Sequence, residues 1–325
     1  MRYAKRRRDD APRATLAAVA IVASLLAFHW FLPGSSESPL ACRGDCPSRS
    51  AVAADAAAAE AASTITQSGG GEVPPLTARS AVVVDGACGE VIFAKEPHLR
   101  LPPASITKIM TAVVALETAD ADDTVEVNID GYYYGDSTVM GLETGMRLSL
   151  RDLLYGLLLP SGNDAAVAIA RYVAGDLPSF VARMNAKVRA LGLQDTHFTN
   201  PHGLDAPGHY SSAYDMAMLA RYAMKNPLLA EIVRTKTWQP VWDGPQLWNG
   251  NLLLWVYPDS DGVKIGWTEN ARQTIVASAQ RDGRRLFLAL LGSDDRYGDA
   301  TRLLDWAFDN PDWGHDGGDC SVRGP

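Results

Sequence analysis

Near both ends of the chain, hydrophobic residues alternate with polar ones or form short apolar runs, which predicts strands. Residues 80–85 and 90–94 flank a glycine-bounded turn and predict one β-hairpin. Residues 274–279 and 285–291 flank an Asp-Gly turn and predict a second hairpin. Paired strands are therefore expected at the start and at the end of the folded region.

Between the hairpins, apolar residues recur with the spacing of an α-helix. Five segments show this spacing: residues 106–116, 150–158, 165–173, 180–191 and 214–224. A further amphipathic helix is predicted over residues 302–309. Strands that enclose a mostly helical middle predict one α+β domain, whose antiparallel sheet joins the N-terminal and C-terminal strands.

The start of the chain has the pattern of a membrane anchor. Residues 1–13 carry six basic and two acidic side chains, and the nineteen residues 14–32 contain no Asp, Glu, Lys or Arg. That length crosses a bilayer once as a helix, and the basic flank indicates the cytoplasmic side. We expect an uncleaved single-pass anchor, with the rest of the chain on the extracytoplasmic face. A signal peptide removed near Ala53 is the alternative.

Composition divides the remainder of the chain into three parts. Residues 33–75 are rich in Ala, Ser, Gly and Pro and predict a disordered tether, because they cannot bury enough apolar surface to fold. Residues 76–313 are expected to form the folded domain, and residues 314–325 a tail. The chain is 47% hydrophobic, which suffices for a core and excludes disorder throughout.

Charge and cysteine content narrow the class of protein. The formal net charge is −8, and the chain beyond its basic start is more acidic still, which excludes nucleic acid as a partner. Four cysteines in an oxidising compartment permit two disulfides, most simply Cys42 with Cys46 and Cys88 with Cys320. Their spacing does not complete a metal-ligand set, so no metal is expected.

Three short motifs carry the candidate chemistry. They are Ser105-Ile-Thr-Lys108, Ser161-Gly-Asn163 and Lys264-Ile-Gly266, and each occurs once in the chain. Their order is that of class A β-lactamases and penicillin-binding proteins. Taken singly each motif has an ordinary structural explanation: a helix N-cap, a helix connector and a lysine on an edge strand. Together they predict a serine acyl-transfer site.

The first two motifs supply a nucleophile and its proton carriers. Ser105 precedes an apolar-periodic run, so it is expected at a helix start, with Lys108 one turn away and within reach of its hydroxyl. Lys108 can act as a base only if burial or a second cation, Lys264, lowers its pKa. Ser161 is expected to relay a proton to the leaving amine, and Asn163 to bind a substrate amide.

The third motif is expected on a strand that borders a cleft. Gly266 would let the substrate backbone approach closely, and the Trp267 N–H would pair with that of Ser105 as an oxyanion hole. Lys264 or Thr268 would bind a carboxylate of the substrate.

Longer strings around these motifs resemble the D-alanyl-D-alanine carboxypeptidases of the low-molecular-mass penicillin-binding protein type. They are residues 103–111, 157–166, 200–204, 209–215, 249–253 and 261–264. The resemblance implies a serine peptidase without a cofactor that removes the terminal D-Ala from peptidoglycan stem peptides ending in D-Ala-D-Ala. It assigns Ser105 as nucleophile, Lys108 as base, Ser161 as proton relay, Asn163 as substrate ligand and Lys264 as carboxylate partner. It also implies that β-lactams acylate Ser105, and that the membrane is that of a bacterial cell.

The chain departs from the family pattern at two positions. Ile265 stands where the family usually has Thr, and Arg272 where it usually has Gly. Because side chains alternate along a strand, we expect Ile265 to point away from the cleft and to be packed. His202 and His209 match family strings and are interpreted as structural. The β-rich C-terminal domain of some relatives is not expected here, so the N-terminal segment would serve as the anchor.

Other functions share this residue set. A class A β-lactamase needs a Glu with a downstream Asn between the second and third motifs, and Glu231, the only Glu there, lacks that context. A tethered receptor that traps peptidoglycan or penicillin without turnover is an alternative motivated by Ile265. A transpeptidase or endopeptidase would use the same catalytic residues, so the sequence leaves that choice open.

Overall fold

Among the described residues, six antiparallel strands form the main sheet. The structure is a computed structural model that describes residues 65–67, 72–132, 137–240 and 244–310, all within one compact unit, Glu60–Pro325. In sheet order the strands are β1 (Ile65–Gln67), β3 (Val91–Lys95), β2 (Ser80–Asp85), β10 (Arg284–Ser293), β9 (Arg272–Arg281) and β8 (Ser260–Thr268). Two short pairs are β4 (Thr124–Glu126) with β5 (Arg147–Ser149), and β6 (Thr237–Trp238) with β7 (Leu247–Trp248).

The sheet joins the two ends of the folded region, as predicted. Strand β10 pairs with β2 in antiparallel register, with Leu288 opposite Val83. Each of these strands also pairs with its own hairpin partner, β9 or β3. The expected α+β class with an antiparallel sheet of N- and C-terminal strands is confirmed.

Eight helices accompany the sheet in the described part of the chain. They are α1 (Lys108–Thr118), α2 (Leu150–Leu158), α3 (Asn163–Ala174), α4 (Leu177–Ala190), α5 (Ala213–Ala223), α6 (Pro227–Arg234), α7 (Leu253–Val256) and α8 (Arg296–Asp309). All five helices predicted in the middle of the chain are present, as α1 to α5. Helix α6 was not predicted, although Asn226 caps it and Pro227 opens it, a typical helix-start signal.

Two apolar clusters lie on opposite faces of the sheet. Alternate residues of β2 divide between them, since Val82 and Val84 belong to the first cluster, and Ala81 and Val83 to the second. Helices α1 to α6 pack in the first cluster, whereas α7 and α8 pack in the second. The central strands are therefore buried on both faces.

The structure corrects two predicted boundaries. The expected tether over residues 33–75 extends too far, because Ile65–Gln67 pairs with β3 as an edge strand and Val73 packs against the second cluster. The last helix begins at Arg296 rather than at residue 302. The carboxylate of Asp295 accepts a hydrogen bond from the Gly298 N–H and caps this earlier start.

Several predictions fall on residues outside the described ranges. They include the basic flank 1–13, the membrane segment 14–32, most of the tether and the tail 314–325. Within the described ranges no single helix is long and apolar enough to cross a bilayer, although α3 and α4 pass the length and composition test as a pair bent by 86°. Cys88 is disulfide-bonded, and its partner lies outside the described residues, so both predicted pairings remain predictions.

Candidate active site

Ser105 lies in a 3-10 turn, Ala104–Thr107, that leads directly into α1, which confirms its position at a helix start. No side chain caps either helical segment, so the Ser105 hydroxyl is not used as an N-cap. Ala104 has a φ of 52°, a conformation that costs a non-glycine residue about 1–3 kcal/mol. Gly203 packs so closely on this turn that a Cβ there would overlap the Ala104 carbonyl. The close packing of Gly203 thus helps to hold the strained turn in its conformation.

Lys108 is fully buried behind Ser105. Its Nζ lies 3.0 Å from the Ser105 Oγ, 2.6 Å from the Asn163 Oδ1 and 2.7 Å from the His202 carbonyl oxygen. Burial, reinforced by the charge of Lys264, lowers the pKa of Lys108 well below its usual value. The predicted contact with Ser105 and the predicted pKa shift are both confirmed.

A neutral Lys108 is well arranged to receive a proton. Its two remaining N–H bonds can be donated to the Asn163 and His202 oxygens, which leaves the nitrogen lone pair for the Ser105 hydroxyl. The Asn163 side-chain oxygen therefore orients the base, a role that the sequence did not indicate. Its amide nitrogen is the part left for a substrate.

Ser161 and Asn163 lie in the connection between α2 and α3, as predicted. Ser161 has a φ of 69°, a left-handed conformation that is uncommon for serine. Its Oγ is buried and has no hydrogen-bond partner among the described residues. A buried hydroxyl without a partner is costly, and such groups are often retained for function. This arrangement suits a hydroxyl that transfers protons.

Asp164 is a residue of the site that the sequence did not single out. Its buried carboxylate accepts hydrogen bonds from the backbone N–H groups of Met140, Gly141 and Leu142 and of its own neighbour Ala165. It thereby fixes the segment that directly follows Thr138, a residue of the cleft wall. Its charge opposes the lowering of the Lys108 pKa.

Strand β8 carries the third motif along the other side of the cleft. Lys264 is buried, and burial together with the charge of Arg296 lowers its pKa to about 7. Its Nζ donates to the Ile265 carbonyl oxygen at 3.0 Å. Ile265 packs against the second apolar cluster, as expected, but it also contributes to the cleft wall, so the expectation that it would not line the cleft is wrong.

Gly266 allows the strand and the nucleophile turn to meet. A Cβ at this position would lie 2.6 Å from the Ser105 backbone nitrogen and 2.6 Å from the Thr274 Oγ1. No side chain fits there. Because the Ser105 nitrogen is held against β8 beside Trp267, the geometry suits the predicted pairing of their N–H groups as an oxyanion hole.

Thr268 differs from its predicted role. Its hydroxyl donates to the Asp205 Oδ1 at 2.9 Å and accepts from the Ala271 N–H at 3.0 Å. The hydroxyl proton is therefore committed to an internal carboxylate, and the expectation that Thr268 binds the carboxylate of a substrate is not supported. Asp205 also places a negative charge at that end of the cleft.

Arg296 supplies a second cation that the sequence did not reveal. Its Nη1 donates to the Gly266 carbonyl oxygen at 2.6 Å, and its Nε to the Gln273 Oε1 at 3.1 Å. Burial lowers its pKa. It belongs to the first turn of α8 and lies far from any motif in sequence, so no local pattern could have indicated it.

The predicted residues converge on one cleft of about 540 Å³. The cleft-lining members are Ser105, Ser161, Asn163, Lys264, Gly266, Trp267 and Thr268. Lys108 lies behind Ser105 and completes the set. In the described part of the chain, no group of three or more His, Cys, Asp or Glu side chains is placed to hold a metal ion.

The two histidines are hydrogen-bonded and buried, as their structural interpretation requires. The His202 Nε2 contacts the Tyr132 hydroxyl, and the His209 Nε2 lies 2.9 Å from the Thr107 Oγ1. Burial lowers their pKa values to about 3 and about 4, respectively, so both are neutral at physiological pH. Glu231 accepts a hydrogen bond from Tyr155 and is not part of the cleft wall, which agrees with the argument against a lactamase.

Comparison with known proteins places this geometry in a family. A family model described as D-alanyl-D-alanine carboxypeptidase matches residues 67–295. The chain belongs to this family. The resemblance inferred from the motifs is therefore confirmed, and the match covers β2 to β10 and most of the cleft.

Curated relatives agree with the family match. The chain is 40% identical over 252 residues to the D-alanyl-D-alanine carboxypeptidase DacD of Salmonella typhimurium, covering 73% of this chain and 64% of that protein. It is 37% identical over 246 residues to the D-alanyl-D-alanine carboxypeptidase DacF of Bacillus subtilis, covering 71% and 62%. The chain thus spans less than two thirds of the length of these relatives.

Solved structures share the fold. A D-alanyl-D-alanine carboxypeptidase from Mycobacterium tuberculosis is 35% identical, with a TM-score of 0.70 and coverage of 75% of this chain and 96% of that one. Penicillin binding protein 5 from Haemophilus influenzae is also 35% identical, with a TM-score of 0.69 and coverage of 74% and 73%. The α+β fold of this chain is that of the penicillin-binding DD-peptidases.

Proposed function

We propose that this protein is a serine-type D-Ala-D-Ala carboxypeptidase that removes the terminal D-Ala from peptidoglycan stem peptides and is acylated by β-lactams. The observation that carries the proposal is the 3.0 Å contact between the Ser105 Oγ and the buried Nζ of Lys108. Membership of the D-alanyl-D-alanine carboxypeptidase family supports the substrate class. The residues account for the chemistry without a cofactor.

Acylation begins when the neutral Lys108 amine takes the hydroxyl proton of Ser105. The Ser105 Oγ then forms a bond to the carbonyl carbon of the penultimate D-Ala, and the developing oxyanion is stabilised by backbone N–H groups at Ser105 and Trp267. The C–N bond to the terminal D-Ala breaks as its nitrogen receives the proton, passed from Lys108 through the buried Ser161 hydroxyl. An acyl-enzyme and free D-Ala result.

Deacylation returns the enzyme to its starting state. Water adds to the ester carbon and gives its proton to Lys108, and the bond to the Ser105 Oγ breaks as Ser105 regains a proton. General acid–base assistance of this kind contributes about 10²–10⁴-fold to a rate. The product is the stem peptide shortened by one residue.

Recognition of the terminal carboxylate is assigned to Lys264 and Arg296. Both cations border the cleft. Burial lowers the pKa of each, and the charge of Arg296 lowers that of Lys264 further. A carboxylate bound there would relieve their mutual repulsion. The negative charge of Asp205 favours this end of the cleft over the Thr268 end. This arrangement supports an exopeptidase that binds the free C-terminal carboxylate of its peptide substrate.

Release of D-Ala from a D-Ala-D-Ala-ended peptide tests the proposal directly. We expect turnover by the natural protein and loss of both turnover and fluorescent-penicillin labelling in Ser105→Ala. Labelling without release of D-Ala would replace the enzyme by the non-hydrolytic receptor. A cross-linked peptide cut faster than the free one would make the protein an endopeptidase.

We further propose that residues 14–32 anchor the chain in the bacterial cell membrane, with the catalytic domain on the extracytoplasmic face. Nineteen residues without Asp, Glu, Lys or Arg and a basic flank support this topology. Fractionation should find the chain in membranes, and protease added to intact, wall-free cells should digest the domain. A mature chain that begins beyond Ala53 would make the segment a removed signal.

A further inference from the structure

The segment from residue 244 to residue 258 combines an absence of charge with several exposed apolar side chains. It contains no charged residue and no histidine, although 21% of the chain is charged. Within it, Trp248, Leu252, Trp255 and Val256 are 59%, 52%, 45% and 66% exposed. We call these four residues the Trp248–Val256 patch.

The patch is one continuous surface. Leu252, Trp255 and Val256 are spaced by three and four residues across α7, which places them on one face of that turn. The Trp248 and Trp255 rings stack with centroids 6.4 Å apart, which joins β7 to the same face. Exposed apolar residues scattered singly need no explanation, but a contiguous group indicates a contact surface.

Helix α7 is apolar on both sides. Leu253 and Leu254 are buried, and Leu253 and the following Tyr257 belong to the second apolar cluster, while the patch residues face outward. A helical segment that is hydrophobic all round is ordinarily buried in protein or in lipid. The sheet covers the inward side of α7. No apolar surface among the described residues covers its outward side.

The chemistry of the patch fits a lipid surface better than a sugar. Its four side chains offer two aliphatic groups and two indoles, and the neighbouring Asn249 and Asn251 are buried. Sugar hydroxyls would need several exposed polar side chains beside the indoles, and in residues 244–258 the only exposed residue with a polar side-chain amide is Gln246. Tryptophan with aliphatic residues and a lysine is typical of membrane-interface contacts. Lys236, whose Nζ lies 4.9 Å from the centre of the Trp255 ring, has no ion-pair partner in the described ranges and suits an anionic headgroup.

The position of the chain start agrees with this partner. The first folded element is the edge strand β1, and Val73 and Leu76, which follow it, pack against the same cluster as Leu253 and Tyr257, so this part of the chain start lies on the α7 face of the sheet. If the predicted tether is limited to residues 33–64, ahead of the edge strand β1, a span of about 30 Å keeps the domain close to the bilayer. A short tether gives the domain a high effective concentration at the membrane surface. A weak apolar contact is then enough to dock it.

We propose that the Trp248–Val256 patch is a second, reversible contact of the protein with the phospholipid bilayer. The contact rests on the proposed anchoring of residues 14–32 but uses different residues. It would turn the α7 face of the catalytic domain toward the membrane surface, so that the domain alternates between a docked and an extended position.

Photo-crosslinking in vesicles tests the proposal on the full chain. A benzophenone amino acid at Val256 is compared with the same residue at Leu99, which is 36% exposed and follows β3. In vesicles of mixed zwitterionic and anionic phospholipid, we expect severalfold more lipid adduct at position 256. Leu252→Ser with Trp255→Ser should lower that adduct severalfold, while hydrolysis of a soluble D-Ala-D-Ala peptide is retained.

Equal lipid adducts at the two positions would overturn the proposal. So would an adduct at position 256 to a second copy of the chain or to a glycan strand, each of which would identify another partner. Attachment of the chain to the vesicles is measured separately, by flotation, and lipid adducts are counted whatever the flotation result. Failed flotation contradicts the anchor, whereas a missing lipid adduct at position 256 contradicts the patch.

Discussion

At the scale of single residues, the two buried lysines of the cleft need opposite protonation states. Lys108 must be neutral to accept the Ser105 proton, and Lys264 must be charged to bind a carboxylate. Burial lowers the pKa of both lysines. The charge of Lys264 lowers the pKa of Lys108 further, and the charge of Arg296 lowers that of Lys264 further. The charge of Lys264 thus favours the neutral form of Lys108 that a general base requires.

Lys108→Arg separates the charge of this side chain from its basicity. A guanidinium stays protonated even when buried, so it cannot accept the Ser105 proton. We expect the acylation rate by a fluorescent penicillin to fall by about 10²–10⁴-fold, the usual contribution of a general base. Lys225→Arg, at an exposed lysine, is the matched control. An acylation rate close to that of the natural protein in Lys108→Arg would require a different base.

The pKa of Lys264 predicts an alkaline limb in the activity profile. Its charged form is present below about pH 7 and is lost as the pH rises through that value, which weakens carboxylate binding in the free enzyme. We expect kcat/KM for a D-Ala-D-Ala peptide to decline above about pH 7. Lys264→Arg, which stays charged, should remove this decline. An unchanged limb in that variant would assign it to another group.

Residue roles were predictable only where they lay inside a motif. Ser105, Lys108 and Ser161 are each recognisable from neighbours within a few positions. Arg296 is not, because it reaches the cleft through the packing of α8 on the sheet. The commitment of the Thr268 hydroxyl to Asp205 was equally hidden, since 63 residues separate the two partners.

At the scale of elements, the contact between β8 and the nucleophile turn decides the geometry of the site. We expect Gly266→Ala to push the Ser105 backbone nitrogen away and to lower the acylation rate by about 10²-fold, since a shift of about 1 Å can cost that much. The folded state should persist, as circular dichroism would show. Gly250→Ala is the control, because its Cβ meets nothing closer than 3.8 Å. Equal rates in the two variants would contradict the close approach.

Strand β9 begins with a residue in an unfavourable conformation. Arg272 has a φ of 57°, where the family usually has Gly, and it forms an exposed ion pair with Asp294. Arg272→Gly and Arg272→Ala both remove the ion pair, but only glycine relieves the backbone strain. We expect the glycine variant to be more stable than the alanine variant by about 1 kcal/mol in urea unfolding. A more stable alanine variant would contradict this account.

Elements were predictable in proportion to their length and periodicity. The five middle helices and both hairpins have strong local patterns and are found. The short pairs β4–β5 and β6–β7 and the turn of helix α7 have little local signal, because tertiary packing holds them in place. The edge strand Ile65–Gln67 lies in a segment whose composition favours a tether, and pairing with β3 overrides that composition.

At the scale of the whole molecule, the sheet separates two kinds of surface. Helices α1 to α6 pack on one face, and the cleft lies where the β8 edge meets the start of α1. The opposite face carries α7 and α8 and packs against Val73, which follows the edge strand β1. This division lets one domain present a substrate cleft and a separate apolar patch.

The sequence by itself determined the three motifs, the α+β class and the family, because these depend on short patterns and on the order of segments along the chain. Only the tertiary structure decided the cation at Arg296, the anchoring of the cleft by Asp164 and the exposure of the Trp248–Val256 patch. The physical reason is distance along the chain. A local pattern records what a residue's neighbours are, whereas pKa values, hydrogen-bond partners and exposure depend on residues that meet only after the chain has folded.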